Sequence, residues 1–347
     1  MLGLSMAAFG VHQSVSDRRG GKGMKRYLLA AIALLIFHAQ GGATAQQFPT
    51  PAKPIRLVVA IASGAPPDLI ARALAPKVSA ELGVPVLVEN KPGAGFILGT
   101  MEVVRAAPDG HTLLVTAGGS FTTLPHTVAK LPYDPSRDLT PVIYLNRAPL
   151  VLVASAAAPF DSYASFVSYA KANPNKLNFG TQAVNSGFDV AFEQLKRSTG
   201  IDVPIIPHKG TTEVVQGLMS GEIQLGLLGA GQALSLHKGR KLRALAAVED
   251  MRIPILPDIP TLNELGNTAV TVRGGVHLFG PGRMSSGTVQ RINAAFQNAL
   301  KNAEVEEVCR TLGYPIVGGS TEQQVSILRR EYEVWGQLVS ALGIKPQ

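Results

Sequence analysis

The sequence predicts an α/β protein of two domains, each built on a largely parallel sheet with helices on both faces. Short β-branched runs alternate with helical stretches along most of the chain, a pattern typical of parallel sheets covered on both sides. A length of 347 residues suggests two domains of ordinary size. The chain has one cysteine, Cys309, so it can form no internal disulfide and must rely on its buried core.

The predicted strands are short and rich in Val, Ile and Leu. They cover residues 55–61, 84–89, 112–116, 142–145, 150–154, 176–180, 203–207, 223–228 and 242–248. Helices are expected at 68–82, 98–106, 162–172, 189–199, 212–220, 286–303, 304–312 and 321–342. Gly313 and Gly343 are the expected stops of the last two helices. Pro76 should kink or split the first helix.

The first 45 residues have the pattern of a secretory signal. Two basic residues, Lys25 and Arg26, precede an unbroken apolar run of 11 residues at 27–37, and the segment ends in a small-residue motif at Ala45. The run is too short to span a bilayer comfortably. We therefore expect export to the periplasm with cleavage near Ala45, and either Met1 or Met24 could be the start.

The charge of the chain disfavours a nucleic-acid binder. The formal net charge is +8, but five of the 32 basic residues and one of the 24 acidic residues precede residue 46, which leaves +4. These charges are scattered and aromatic residues make up only 6% of the chain. A nucleic-acid surface would instead concentrate basic residues on one face.

The first predicted strand leads through a small-residue turn, 62–65, into a helix that opens with Pro66, Pro67 and Asp68. A helix that starts at the carboxyl end of a strand offers backbone N–H groups and a positive dipole end. The sequence therefore predicts an anion site at this turn.

Six segments resemble the Bug family, the periplasmic solute receptors of tripartite tricarboxylate transporters. They are KPIRLVV (53–59), VENKPGAG (88–95), APDGHTLL (107–114), KLPYDP (130–135), PHKG (207–210) and GRKLRAL (239–245). The resemblance covers nearly all of residues 48–345. It implies a two-lobed, type II periplasmic-binding-protein ("Venus flytrap") fold with two mixed, mostly parallel sheets and a two-crossing hinge. It also implies capture of a small carboxylate in the interdomain cleft for a membrane permease.

The expected lobes follow from the two crossings. Residues 46–150 and 272–347 should form lobe one, and residues 151–271 should form lobe two. The hinge strands are expected at 147–150 and 271–275, with the C-terminal helices packed on lobe one. We expect a monomer.

The resemblance implies ligand contacts in two turns of lobe one. Ser63, Gly64 and Ala65 stand in the first turn, where the family has Pro-Gly-Gly-x-x-Asp, and Asp68 is either a helix cap or a contact. Pro66 removes one N–H donor there. Gly119 and Ser120 follow the strand ending at residue 116, and Ser120 could donate to a carboxylate.

Lobe two should contribute a polar loop and one apolar position. Thr181, Gln182, Ser186 and Gly187 align with a family loop rich in Ser, Gly and Thr, although Gly187 replaces a usual hydroxyl residue. Leu228 stands where the family commonly has an acidic residue. Because leucine cannot pair with a buried ammonium group, this change favours carboxylates that lack one.

One further departure lies near the second crossing, where Gly275 stands near a usual tryptophan and His277 near a usual glycine. A single histidine of this kind is more often packed than ligand-contacting.

Two other functions have some support in the sequence. Gly93, Gly95 and Gly99 could suggest an exported nucleotide-dependent enzyme, but residues 90–92 separate them from the preceding strand. Hydrolase and zinc-protease motifs are missing from the sequence, so we predict neither an enzyme nor a cofactor. A ligand-loaded protein of this fold could also signal to a membrane sensor kinase, which sequence cannot separate from transport.

Overall fold

The computed structural model describes residues 48–182, 187–208, 210–268, 270 and 274–346. The predicted signal segment, 1–45, lies outside these residues, as does Ser186. Within them, no helix combines the length and apolar character needed to cross a bilayer.

The described strands and helices follow the predicted alternation closely. The strands are β1 (Ile55–Val59), β2 (Val86–Asn90), β3 (Thr112–Ala117), β4 (Leu139–Arg147), β5 (Leu150–Ser155), β6 (Phe179–Thr181), β7 (Ile205–Pro207), β8 (Leu225–Gly229), β9 (Leu242–Ala247), β10 (Gly275–Pro281) and β11 (Ile316–Gly318). The helices are α1 (Pro66–Leu82), α2 (Ile97–Val104), α3 (Gly119–Thr122), α4 (Leu124–Thr127), α5 (Pro135–Asp138), α6 (Tyr163–Ala172), α7 (Gly187–Thr199), α8 (Thr211–Ser220), α9 (Ala230–Lys238), α10 (Ser286–Leu300), α11 (Ala303–Leu312) and α12 (Thr321–Leu342).

The first sheet combines strands from both ends of the described chain. Its order is β11-β4-β10-β3-β1-β2, with β1 parallel to β2 and β3, and with β10 antiparallel to β3 and β4. Alternate residues of β1 face opposite sides, so Leu57 lies in the cluster under α1 and α10 while Val58 packs toward α2. The sheet is thus covered on both faces.

The second sheet is formed by contiguous strands in the order β7-β6-β8-β5-β9. β6 runs parallel to β7 and β8, and β5 runs antiparallel to β8 and β9. One face packs on α6 and α7 through Phe166, Phe192 and Phe179, and the other packs on α8 and α9. The two mixed sheets confirm the predicted two-lobed α/β class.

The chain passes between the sheets at residues 148–149 and returns before β10. The two passages are hydrogen-bonded, since the Ala148 N–H donates to the Gly274 carbonyl at 2.9 Å. A Cβ on Gly274 would lie 2.6 Å from the Ala148 oxygen, so the backbones meet at a distance that only glycine permits.

Proline and glycine residues affect three of the helices. α1 continues through Pro76 to Leu82, so the helix is not split there. Its buried face, which includes Ile70, Leu74 and Val78, packs on the first sheet and outweighs the backbone hydrogen bond that proline cannot make. Gly313 and Gly343 end α11 and α12 in the left-handed conformation, as predicted.

α12 packs against the cores of both sheets. Near its start, the Thr321 hydroxyl donates to the Val142 carbonyl of β4, and Leu328 is buried with the first sheet. Farther along, Trp335 and Val339 are buried in the cluster of the second sheet. The helix therefore forms a third link between the two halves, beside the two chain crossings.

Candidate functional site

The turn after β1 is organised around the buried carboxylate of Asp68. This carboxylate accepts hydrogen bonds from the Gly64 N–H at 2.8 Å, from Arg72 Nε at 3.0 Å and from Asn90 Nδ2 at 2.9 Å. Ser63 Oγ lies 3.5 Å from the same carboxylate. Burial alone would raise the pKa of Asp68, but the hydrogen bonds from Arg72, Gly64 and Asn90 hold it below its ordinary value. Asp68 is therefore ionised, and its carboxylate stabilises the turn by accepting these hydrogen bonds.

The backbone donors at the start of α1 are already used, contrary to the expectation of free N–H groups. Gly64 donates to Asp68, and Ala65 donates to the Ala62 carbonyl at 3.3 Å. Pro66 and Pro67 have no N–H, and the next two residues donate back to the Ala65 carbonyl. The N–H groups at the start of this helix therefore bond within the turn. Any anion held here must rely on the exposed Ser63 and on other side chains.

The second predicted turn is buried. Ser120 has no exposed surface, and its hydroxyl lies 2.9 Å from the Thr116 hydroxyl. Its carbonyl accepts a hydrogen bond from the Tyr133 hydroxyl at 2.7 Å. Gly119 begins the one-turn helix α3 and is partly exposed. Solvent therefore reaches this turn at Gly119 and Phe121, which are both partly exposed, and not at the Ser120 hydroxyl.

The polar loop of the second sheet begins at Thr181, the last residue of β6, which is almost fully buried. Gln182 Nε2 donates to the Leu227 carbonyl at 3.3 Å, and Gln182 Oε1 accepts from the Thr211 hydroxyl at the start of α8. Gly187 is the first residue of α7 and is partly buried. The loop thus connects the ends of β6 and β8 to two helix starts.

A pocket of about 470 Å³ adjoins this loop. It combines two acidic side chains with apolar ones from β7 and the end of the chain. The described residues that line it are Thr181, Asp189, Glu193, Ile205, Pro207, Leu342 and Ile344.

Leu228 lies in the core of the second sheet rather than at its edge. It has no exposed surface and packs with Val151, Val214 and Leu218 under α8. Alternation along β8 explains this position, because Leu227 faces the opposite cluster and Gly229 ends the strand. A ligand contact by the Leu228 side chain has no support in this geometry.

Apart from Leu228, the predicted residues that the structure describes gather at the carboxyl ends of β1, β3 and β6. Open α/β sheets bind ligands beyond these ends. The prediction missed the partners that hold the turns, because Arg72 and Asn90 come from α1 and from the end of β2. The alternation of strand and helix could have placed Asn90 there, since β2 runs parallel to β1.

Behind the turn after β3, His277 is buried against Tyr144. Their ring centroids are 4.0 Å apart, and His277 Nδ1 lies 3.3 Å from Gln324 Nε2 on α12. Burial lowers the pKa of His277 to about 3, so the ring is neutral at physiological pH. The departures from the family pattern at 275 and 277 are the sequence signal that pointed to this region.

The glycines that suggested a nucleotide site have roles in packing or in backbone conformation. A Cβ on Gly99 would lie 2.7 Å from the Ala60 Cβ, so this glycine lets α2 approach β1. Gly93 and Gly95 adopt positive φ angles in the loop before α2. Across the described residues, no group of three or more His, Cys, Asp or Glu side chains is arranged to hold a metal.

Sequence comparison relates the chain to a family of transporter receptors. The profile described as "Tripartite tricarboxylate transporter family receptor" matches residues 70–344. A UPF0065 protein in the gbd 5' region of Cupriavidus necator is 35% identical over 271 residues, which are 78% of this chain and 80% of the relative. Protein BugT of Bordetella pertussis is 28% identical over 319 residues, 92% of this chain and 98% of the relative.

Solved structures agree with this relationship. MatC from Rhodopseudomonas palustris with bound malate is 29% identical, with a TM-score of 0.73, and the match covers 84% of this chain and 100% of that one. R. palustris Rpa4515 with adipate is 26% identical, with a TM-score of 0.77, and the match covers 87% and 100%.

Proposed function

The chain belongs to the tripartite tricarboxylate transporter receptor family, as its Bug-family motifs predicted, and we propose that it captures a small carboxylate between its two lobes. The observation that carries the proposal is the gathering of polar turns at the carboxyl ends of β1, β3 and β6, on two sheets joined by paired crossings. Two lobes joined in this way can close over a solute.

For the lobes we propose residues 46–150 with 272–347, and residues 151–271. This division is supported by the strands, since the first sheet draws on 55–147 and 275–318 and the second on 150–247. The C-terminal helices were expected to pack on lobe one alone. α12 differs from this expectation, because its second half packs on the second sheet.

We further propose that the ligand is a carboxylate without an ammonium group. Support comes from relatives, because malate and adipate, which occupy MatC and Rpa4515, are both dicarboxylates that lack one.

We also propose that the protein is exported, that it is a monomer, and that it delivers its ligand to a membrane permease. The family consists of periplasmic receptors of transporters, and the signal-like segment ending near Ala45 fits export. Mass-spectrometric sequencing of the mature N-terminus should find Gln46 or a residue near it. An intact Met1 or Met24 on the mature protein would refute the export proposal. Light scattering should give the mass of one chain.

Calorimetry on refolded, ligand-stripped protein tests the function. Malate and adipate should bind with measurable heat, and aspartate should bind more weakly or not at all. Tight binding of aspartate without binding of any simple carboxylate would refute the ligand class. Cross-linking of the loaded protein in membranes, followed by identification of the partner, should recover permease subunits; recovery of a sensor kinase instead would favour a signalling role.

A further inference from the structure

Arg72 is a cation held in a fixed orientation next to the turn after β1. Its Nε donates to Asp68 at 3.0 Å, and its Nη2 donates to Asn90 Oδ1 at 2.8 Å. The side chain is nevertheless 47% exposed. Among the residues that the structure describes, Nη1 has no hydrogen-bond acceptor within reach. One edge of the guanidinium group is therefore fixed by the protein and another edge faces outward.

The guanidinium group lies at the carboxyl edge of the first sheet. Asn90 is the last residue of β2, and its Nδ2 also donates to the Ile61 carbonyl just beyond β1, at 3.1 Å. Arg72 Nε and Ser63 Oγ share one carboxylate oxygen, Asp68 Oδ2, at 3.0 and 3.5 Å. Arg72 and Ser63 therefore stand beside the same carboxylate oxygen of Asp68.

A cation at this turn favours the binding of an anion there. The N–H groups at the start of α1 are used internally or replaced by proline, and the charge of Asp68 opposes the helix dipole as well as a second carboxylate. Arg72 offsets the charge of Asp68. A guanidinium group also keeps donors for a further carboxylate after two of them are engaged.

We propose that Arg72 determines specificity by donating, through Nη1, to a ligand carboxylate held beside Ser63. Asp68 and Asn90 are the positioning residues that aim it. This inference rests on the proposed function, because it assigns the cation that one carboxylate of the captured solute meets on lobe one.

The test compares Arg72→Gln, which removes the charge, with Arg72→Lys, which keeps it. The probes are malate and adipate, measured by calorimetry at 25 °C. We expect Arg72→Gln to raise Kd at least tenfold, the effect typical of a lost charge-assisted hydrogen bond, and Arg72→Lys to raise it less. Raising NaCl from 20 to 500 mM should weaken binding by wild type more than binding by Arg72→Gln.

Arg56→Gln is the matched control. Arg56 is also an arginine of lobe one that pairs with carboxylates, those of Glu89 and Glu102, but it lies away from the Ser63 turn. Its Kd should stay within twofold of wild type. Circular dichroism and a thermal melt establish that each variant is folded at the assay temperature. If Arg72→Gln does not fold, the comparison of Arg72→Lys with wild type and the salt dependence of wild-type binding still test the assignment.

The outcomes separate the two proposals. If wild type binds malate or adipate and Arg72→Gln binds within twofold of it, the assignment of Arg72 is wrong while the proposed function stands. A loss that is equal in Arg72→Gln and Arg72→Lys, with the salt dependence unchanged, would also overturn the assignment and leave Arg72 as a structural residue. If folded wild type binds neither acid, both proposals fail for this ligand class.

Discussion

Tyr144 lies flat against His277 across the β4–β10 pair, with the two rings inclined by only 12°. The same two side chains occupy the space beside residue 275. A Cβ on Gly275 would lie 2.5 Å from the Tyr144 hydroxyl and 2.8 Å from His277 Nε2. A glycine at 275 is therefore the condition for this ring pair to form.

Gly275→Ala should destabilise the protein by about 1–3 kcal/mol, because the added methyl group overpacks the ring pair. Urea unfolding measures this change. Removing the hydroxyl in the double variant Tyr144→Phe with Gly275→Ala should recover part of the loss. Strictly additive effects of the two substitutions would show that the contact is not the cause.

His277 should make stability depend on pH. Burial lowers the pKa of its ring to about 3, below the ordinary 6.5, so protonation favours the unfolded chain. The contribution is fully present above about pH 6.5 and decreases by about 1.4 kcal/mol per unit as the pH falls toward 3. Between pH 6 and 4, wild type should therefore lose roughly 2 kcal/mol more than His277→Gln in urea unfolding. Parallel pH profiles would contradict the burial of a neutral ring.

Asp68→Asn should lower the free energy of unfolding by about 1–3 kcal/mol at pH 7, a range reduced because Arg72 is half exposed. The folded pKa of Asp68 is below its ordinary value, so its stabilisation is present above the unfolded pKa and disappears as the pH falls through the folded pKa. Unfolding curves of wild type and variant should consequently converge in strong acid. Glu307→Gln, at an exposed pair with Arg310, is the control and should change the midpoint little.

Trp335 should report closure of the lobes. It is the single tryptophan of the chain, and it is buried where α12 meets the second sheet. Movement of one lobe against the other would change its surroundings, so malate or adipate should alter its emission. A titration that calorimetry shows to be saturated, with no change in emission, would mean that this contact does not move.

The fold could be predicted because apolar, β-branched runs alternate with helical stretches along most of the chain. The exceptions have physical reasons. β10 is buried along its whole length and begins and ends beside glycines, so it shows no period-two pattern. α9 is short and begins with Ala-Gly, which gives a weak helical signal.

The site could be predicted only to the level of turns. Strand order indicates which turns reach the carboxyl edge, but hydrogen-bond partners depend on residues that are distant in sequence. Asp68 illustrates this limit, because Asn90 is 22 residues away and reaches it only through the pairing of β1 with β2. Ser120 and Leu228 were assigned by alignment to a family pattern, which carries no information on burial.

The order of strands in the first sheet also constrains how the protein folds. β10 lies between β3 and β4, so β3 lacks one of its two neighbours, and β4 lacks both, until the C-terminal strands β10 and β11 are available. The second sheet needs only residues 150–247, and its contacts are closer in sequence. Contacts of long sequence separation form slowly, because loop closure precedes any stabilising pairing. During folding we therefore expect the amides of the second sheet to gain hydrogen-exchange protection first. The amides of the first sheet should gain full protection only when the C-terminal strands have joined it.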